Sequence, residues 1–88
     1  MKYRFAVDVM PKKEISDPQG QTVEKALPSL GFSAISNVRV GKRIVLEVEA
    51  ETAEAARELL DRASHKVLSN PVIEAFQIES LDGSEVGV

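Results

Sequence analysis

The residues able to do covalent chemistry are few. Cysteine is absent and histidine occurs once. That histidine, His65, has Ser64 and Ser69 near it in sequence but no motif that would pair a nucleophile with a base. A zinc site needs several His or Cys ligands at set spacing, and here His65 reads as a solvated residue on the polar face of a helix. Glu47, Glu49 and Glu51 recur at period two, so three carboxylates share one strand face. They could hold a cation, but they read first as the wet side of an open sheet. Gly20, Gly31 and Gly41 lack the spacing of a phosphate-binding loop. No catalytic, cofactor-binding or metal-binding residue is assigned.

The elements that carry these residues follow from periodicity. Tyr3, Phe5, Val7 and Val9 alternate with Lys2, Arg4, Ala6 and Asp8, the pattern of a half-buried strand ended by Pro11. Asp17 suits a helix N-cap and Pro18 the first helical position. Val23, Ala26, Leu27 and Leu30 then recur at helical spacing up to Gly31, a natural stop. Pro28 predicts a kink or an early end, because a proline ring removes a helical hydrogen bond. Gly20 is the anomaly, since glycine in a helix costs about 1 kcal/mol relative to alanine. Close approach of another chain would account for it.

Val38 and Val40 alternate with Asn37 and Arg39, and Ile44, Leu46 and Val48 with Val45, Glu47 and Glu49. Gly41-Lys42 between the two runs predicts a tight type II′ hairpin. Thr52 caps a second helix whose buried stripe is predicted as Ala56, Leu60, Ala63 and Val67, with Leu59 beside it. Asn70-Pro71 ends that helix, and Phe76 and Ile78 alternate with Ala75, Gln77 and Glu79 in a last strand.

The order βαββαβ predicts an α+β two-layer sandwich of ferredoxin-like form. A four-stranded antiparallel sheet would carry both helices on one face, with the first and third strands at its centre. Residues 1–80 form the single domain and 81–88 a flexible tail. Ala6, Asp8, Arg39, Val45, Glu47 and Gln77 are expected on the helix-free face, covered either by water or by a partner.

Composition narrows the function classes. With 43% hydrophobic and 28% charged residues the chain is an ordinary globular one. A net charge of -3 argues against a nucleic-acid partner, whose phosphates require a basic surface. No apolar run approaches the roughly 20 residues that span a bilayer, and the start of the chain lacks the apolar core of a secretory signal. The expected compartment is the cytoplasm.

Four segments, in this order and spacing, resemble the PurS family, the small subunit of bacterial and archaeal phosphoribosylformylglycinamidine synthase. They are Asp17-Pro18-Gln19-Gly20 with Val23-Glu24-Lys25-Ala26-Leu27, then Leu30-Gly31-Phe32, then Val38-Arg39-Val40-Gly41-Lys42, and Asn70-Pro71-Val72-Ile73-Glu74. The resemblance covers about residues 2–80; Pro28 and the extra tail depart from it. It implies a subunit of a glutamine-dependent, ATP-consuming C–N ligase of purine biosynthesis (EC 6.3.5.3). It implies a dimer or higher homo-oligomer joining a PurQ-type glutaminase to a PurL-type synthetase and aiding ammonia transfer. ATP and Mg would belong to the synthetase, with no cofactor in this chain. Carried over by motif, Asp17, Gln19, Gly20, Arg39, Gly41, Lys42, Asn70 and Pro71 are the candidate subunit contacts.

Other classes share the element order. A ligand-sensing dimerisation module of ACT type would bind an amino acid at a subunit interface, usually beside an enzyme domain. Acylphosphatase would need a basic phosphate loop after the first strand, where this chain has Met10-Pro11-Lys12-Lys13-Glu14. An RNA-binding sheet would need aromatics on its open face, and Tyr3 and Phe5 pattern with the core instead.

Overall fold

The computed structural model describes residues 1–82. Strand β1 spans Lys2–Pro11, helix α1 Pro18–Ala26, strand β2 Lys42–Glu49, helix α2 Ala53–Ala63 and strand β3 Glu74–Ser80. The sheet has three strands in the order β2-β1-β3, both pairs antiparallel. The central β1 therefore pairs with the run predicted as third strand, as the crossover rule requires.

Period two in β1 sends Phe5, Val7 and Val9 to one face, where they are almost fully buried. Register aligns them with apolar partners: Val7 lies opposite Ile44 on one side and Ile78 on the other, and Phe5 opposite Leu46. Helix α2 closes this face with Ala56 and Leu60. Its N-terminus is capped by Thr52, whose hydroxyl accepts from the Ala55 N–H at 3.0 Å.

Beyond Ala63 the helix continues as a π turn over Ser64–Leu68, in which the Ser69 N–H reaches the Ser64 carbonyl at 3.0 Å. The wider turn changes which residues face inward. The predicted stripe ended at Val67; the structure instead places Leu68 against the core and leaves Val67 77% exposed. Ser64 is drawn inside, and its hydroxyl has no partner among the described residues.

The proline in α1 acts as its chemistry requires. The helix ends at Ala26 and Pro28 opens a 3-10 turn over Pro28–Leu30. Gly31 closes it in the left-handed region, at φ 94.

Three expectations fail, and they fail together. Val38–Val40 is not a strand, so the sheet has three strands rather than four. Asn37 sits in the left-handed region at φ 59, which breaks the extended run before it starts. Gly41 does not have the positive φ that a type II′ turn would demand at its position. Nor do both helices cover the sheet: α1 makes no extensive contact with any strand. Of its predicted stripe only Leu27 is half-buried, while Val23, Ala26 and Leu30 are exposed. The radius of gyration, 16.6 Å, exceeds the roughly 12 Å of a compact domain of this length. The tail expected over 81–88 lies outside the described residues from 83 onward; Leu81 donates its N–H to the Arg4 carbonyl at 2.8 Å.

Candidate subunit-contact site

Asp17 organises one end of the molecule. As N-cap it accepts from the Gly20 N–H at 3.0 Å through Oδ1, and its Oδ2 accepts from the Val40 N–H at 3.0 Å. Arg39 Nε lies 3.8 Å from the same Oδ2. The two backbone donors, Val40 first and then Gly20, together with the Arg39 charge, hold the Asp17 carboxyl below its ordinary pKa against the opposing effect of burial. Two turns along α1, Glu24 repeats the device and accepts from the Val38 N–H at 3.1 Å.

These bonds explain the failed strand. Val38 and Val40 point their N–H groups the same way, as alternate residues of an extended chain do. In a sheet a neighbouring strand would accept them; here the carboxylates of α1 do. Residues 38–40 become a strap lashed to the helix.

Gly20 is explained by the same contact. A Cβ there would stand well inside van der Waals contact of the Val38 carbonyl oxygen and the Asp17 carboxylate. The close approach predicted from another chain is made by this chain's own strap. Gly41 is equally constrained, because a Cβ would meet the Val9 carbonyl and the Met10 sulfur. Arg39 Nη2 also donates to the Pro11 carbonyl, tying the strap to the end of β1.

The candidates Asp17, Gln19, Gly41 and Lys42 line one groove of about 340 Å3, floored by apolar side chains such as Val9, Ile15 and Ile73. Gly20 and Arg39 adjoin it through Asp17. Asn70 and Pro71 do not line it. Asn70 builds the turn into β3: its carbonyl accepts from Ile73 and Glu74 N–H, its side chain accepts from Val72 N–H, and its own N–H is held by Glu74. That turn delivers Ile73 and Glu74 to the groove.

Glu24 was missed by sequence reasoning. The available signal was its spacing, since positions 17, 20 and 24 fall on one face of a helix. A second omission lies on the helix-free face. Arg43 on β2 donates to both Asp8 oxygens at 3.0 Å and to Glu79 at 2.8 Å, spanning all three strands. The two carboxylates, Glu79 first, raise its pKa further. Ala6, flanked by Val45 and Glu79 in the ladders, is fully buried on this face. The register opposing Asp8 and Arg43 was the signal. Arg39, expected on this face, lies in the strap instead. His65 is exposed, as a solvated helix residue should be, but its ring also stands edge-on to Phe76, with centroids 5.0 Å apart.

Bare apolar side chains also lie away from the groove. On α1 and the segment after it Leu30 is 67% and Phe32 53% exposed, with Val23 and Ile35 also uncovered. On the flank of α2, Leu59 is 45% exposed. An open α+β sandwich that holds one amphipathic helix off its own sheet is the class these features define.

The model of the PurS family, described as phosphoribosylformylglycinamidine (FGAM) synthase, matches residues 4–82. The chain belongs to that family. The phosphoribosylformylglycinamidine synthase subunit PurS of Thermotoga maritima is 38% identical over 79 residues, covering 90% of this chain and 96% of the relative. The solved structure of the Thermotoga maritima purS subunit superposes with a TM-score of 0.85 at 37% identity, covering 92% of this chain and 93% of that one. A chain of the PurLQS structure from the same organism matches with TM-score 0.85 at 37% identity, covering 92% and 99%. No helix among the described residues is long and apolar enough to cross a membrane.

Proposed function

We propose that this chain is the adaptor subunit of phosphoribosylformylglycinamidine synthase. It associates with itself and joins a PurL-type synthetase to a PurQ-type glutaminase, so that ammonia passes between them without loss to water. The observation that carries the reading is the displaced arm. Helix α1 and the 3-10 turn after it leave Val23 and Leu30 bare, while the body of the same chain leaves Leu59 bare on α2, Val67 bare on the π turn that follows and, among the described residues, the outer edge of β2 unpaired. The surplus on the arm matches the deficit on the body. Apolar surface of this kind marks an interaction site. A second copy supplies both halves: its arm lies over this body, and its strap lies along β2.

The groove at the base of the arm is then the surface offered to the other subunits, with Asp17, Gln19, Gly20, Arg39, Gly41, Lys42, Asn70 and Pro71 in or around it. Such a subunit contributes position rather than bond-making: holding two active sites in register makes ammonia delivery effectively intramolecular. The sequence carries no cysteine for glutamine hydrolysis, so that nucleophile comes from the glutaminase. ATP and Mg are used by the synthetase and not by this chain.

The test is reconstitution. Synthetase and glutaminase are assayed with and without this chain, using glutamine or ammonia as nitrogen source. The adaptor reading expects glutamine-dependent activity to need the chain and ammonia-dependent activity not to; equal dependence sinks it. Because Arg39 is engaged within the chain, Lys42→Glu is the cleaner probe of the groove. It is expected to weaken assembly with the partners while leaving the unfolding midpoint unchanged.

A further inference from the structure

A second cavity, of about 440 Å3, lies at the end of the sheet opposite the groove. It opens between the first turn of α2 and the start of β1 and end of β3, and its lining includes Tyr3, Phe5, Ala53, Glu54, Arg57 and Asp82. Period two sends Tyr3 and Phe5 to the helix side of β1, where they join the core cluster and give the cavity an apolar, aromatic wall. Its size falls within the roughly 300–1,000 Å3 of small-molecule sites.

Three charged groups of this lining have no ionic partner among the described residues. Arg57 donates through Nη2 to the Ile78 carbonyl at 3.1 Å. A neutral oxygen fixes the guanidinium without cancelling its charge. The Asp82 carboxylate accepts from the Arg4 N–H at 3.3 and 3.1 Å, which likewise holds it in place and leaves its charge uncancelled. Glu54, one turn before Arg57 on α2, adds a second carboxylate without a cation. We propose that this cavity binds a free α-amino acid with an apolar side chain. Its carboxylate sits on Arg57, its ammonium on Asp82 and its side chain against Tyr3 and Phe5.

The spacing suits that ligand. Arg57 is bonded at the level of Ile78, which lies opposite Val7, and Asp82 at the level of Arg4. Three residues of β1 separate the two levels, about 10 Å at roughly 3.3 Å per residue. Two charge-assisted hydrogen bonds of about 2.8 Å take up more than half of that span, and the ammonium and carboxylate carried on one α-carbon fit in the rest. Other occupants match less of the lining. A nucleotide would set its phosphates against two carboxylates. The end of another protein chain carries only one of the two charges, and an apolar side chain carries neither. Ligand binding by this chain goes beyond the adaptor reading and does not rest on it.

The experiment is calorimetric titration of the full chain with L-phenylalanine, with amide chemical shifts to place the ligand. Saturable one-to-one binding is expected, shifting the amides of Tyr3, Ala53 and Arg57 and not those of Gln19 and Lys42 in the groove. N-acetyl-phenylalanine lacks the ammonium and phenylalaninamide lacks the carboxylate, and each is expected to bind at least tenfold more weakly. Asp82→Asn keeps an oxygen that can accept from the Arg4 N–H, and Arg57 is exposed. Asp82→Asn and Arg57→Gln are therefore expected to fold and to lose tenfold or more in affinity. If either variant misfolds, the two analogues on the wild-type chain decide the question. Absence of saturable binding overturns the proposal, as do analogues that bind as tightly as phenylalanine, or shifts confined to the groove. The adaptor reading fails separately. A chain that binds phenylalanine but leaves glutamine-dependent synthesis unsupported refutes only the adaptor, and one that supports synthesis without binding refutes only this site.

Discussion

The body of this protein and its arm are held by different forces. In the body, β1, β2 and α2 exclude water from Phe5, Val7, Val9, Val48, Ala56 and Leu60. In the arm, α1 and residues 38–40 are joined by Asp17 and Glu24 accepting peptide N–H groups of Val38 and Val40. These six buried residues of the body find one another within the chain. The arm's apolar residues do not, and its polar strap fixes where they point. A core held by burial forms within one copy, whereas a region held by hydrogen bonds with its apolar face outward is shaped before it meets its cover.

The sharpest way to break the contrast is to damage each region in kind. Phe5→Ala removes the largest side chain of the buried cluster, and denaturant unfolding should show a loss of about 3–5 kcal/mol. If the arm contributes nothing to the body, that loss is the same in a chain already dissociated by Leu30→Asp.

Gly20→Ala acts on the arm alone. Its methyl displaces the Val38 carbonyl, and overpacking of this kind costs about 1–3 kcal/mol. Amide exchange at Val38 and Val40 is expected to accelerate while the β1 amides stay protected. Equal acceleration in both would mean that strap and sheet are one cooperative unit.

The smallest effect comes from pH. Native Asp17 has a pKa below its unfolded 3.8, so its contribution to the strap is complete above 3.8 and disappears as pH falls through the native value. Protection of the Val40 amide relative to an unstructured chain should hold steady from neutrality down to pH 4 and fall below 3.8. In Asp17→Asn that acid step is absent.

How far the sequence could be read varies by element. The strands at Lys2–Pro11, Lys42–Glu49 and Glu74–Ser80 were legible because alternation reports a single buried face. The early end of α1 was legible in Pro28. The inward turn of Leu68 was not, because a π turn has no periodic signature. The strap was misread because Val38 and Val40 have the alternation of a strand, and nothing local states that their donors will go to carboxylates fourteen and twenty-three residues earlier. Of the candidate contacts, Asp17, Gln19, Gly41 and Lys42 converge on one groove, whereas Asn70 and Pro71 shape the turn beside it.

Residue order alone dictated which segments extend, which coil and where each stops, since those choices rest on backbone sterics and on the spacing of apolar side chains within a few residues. It also placed the chain in its family, through short motifs in a set order. Only the folded arrangement decided where the first helix goes. An amphipathic helix requires apolar surface but is indifferent to which copy provides it. Here two carboxylates and a glycine without a side chain hold that helix to a strap instead of to its own sheet.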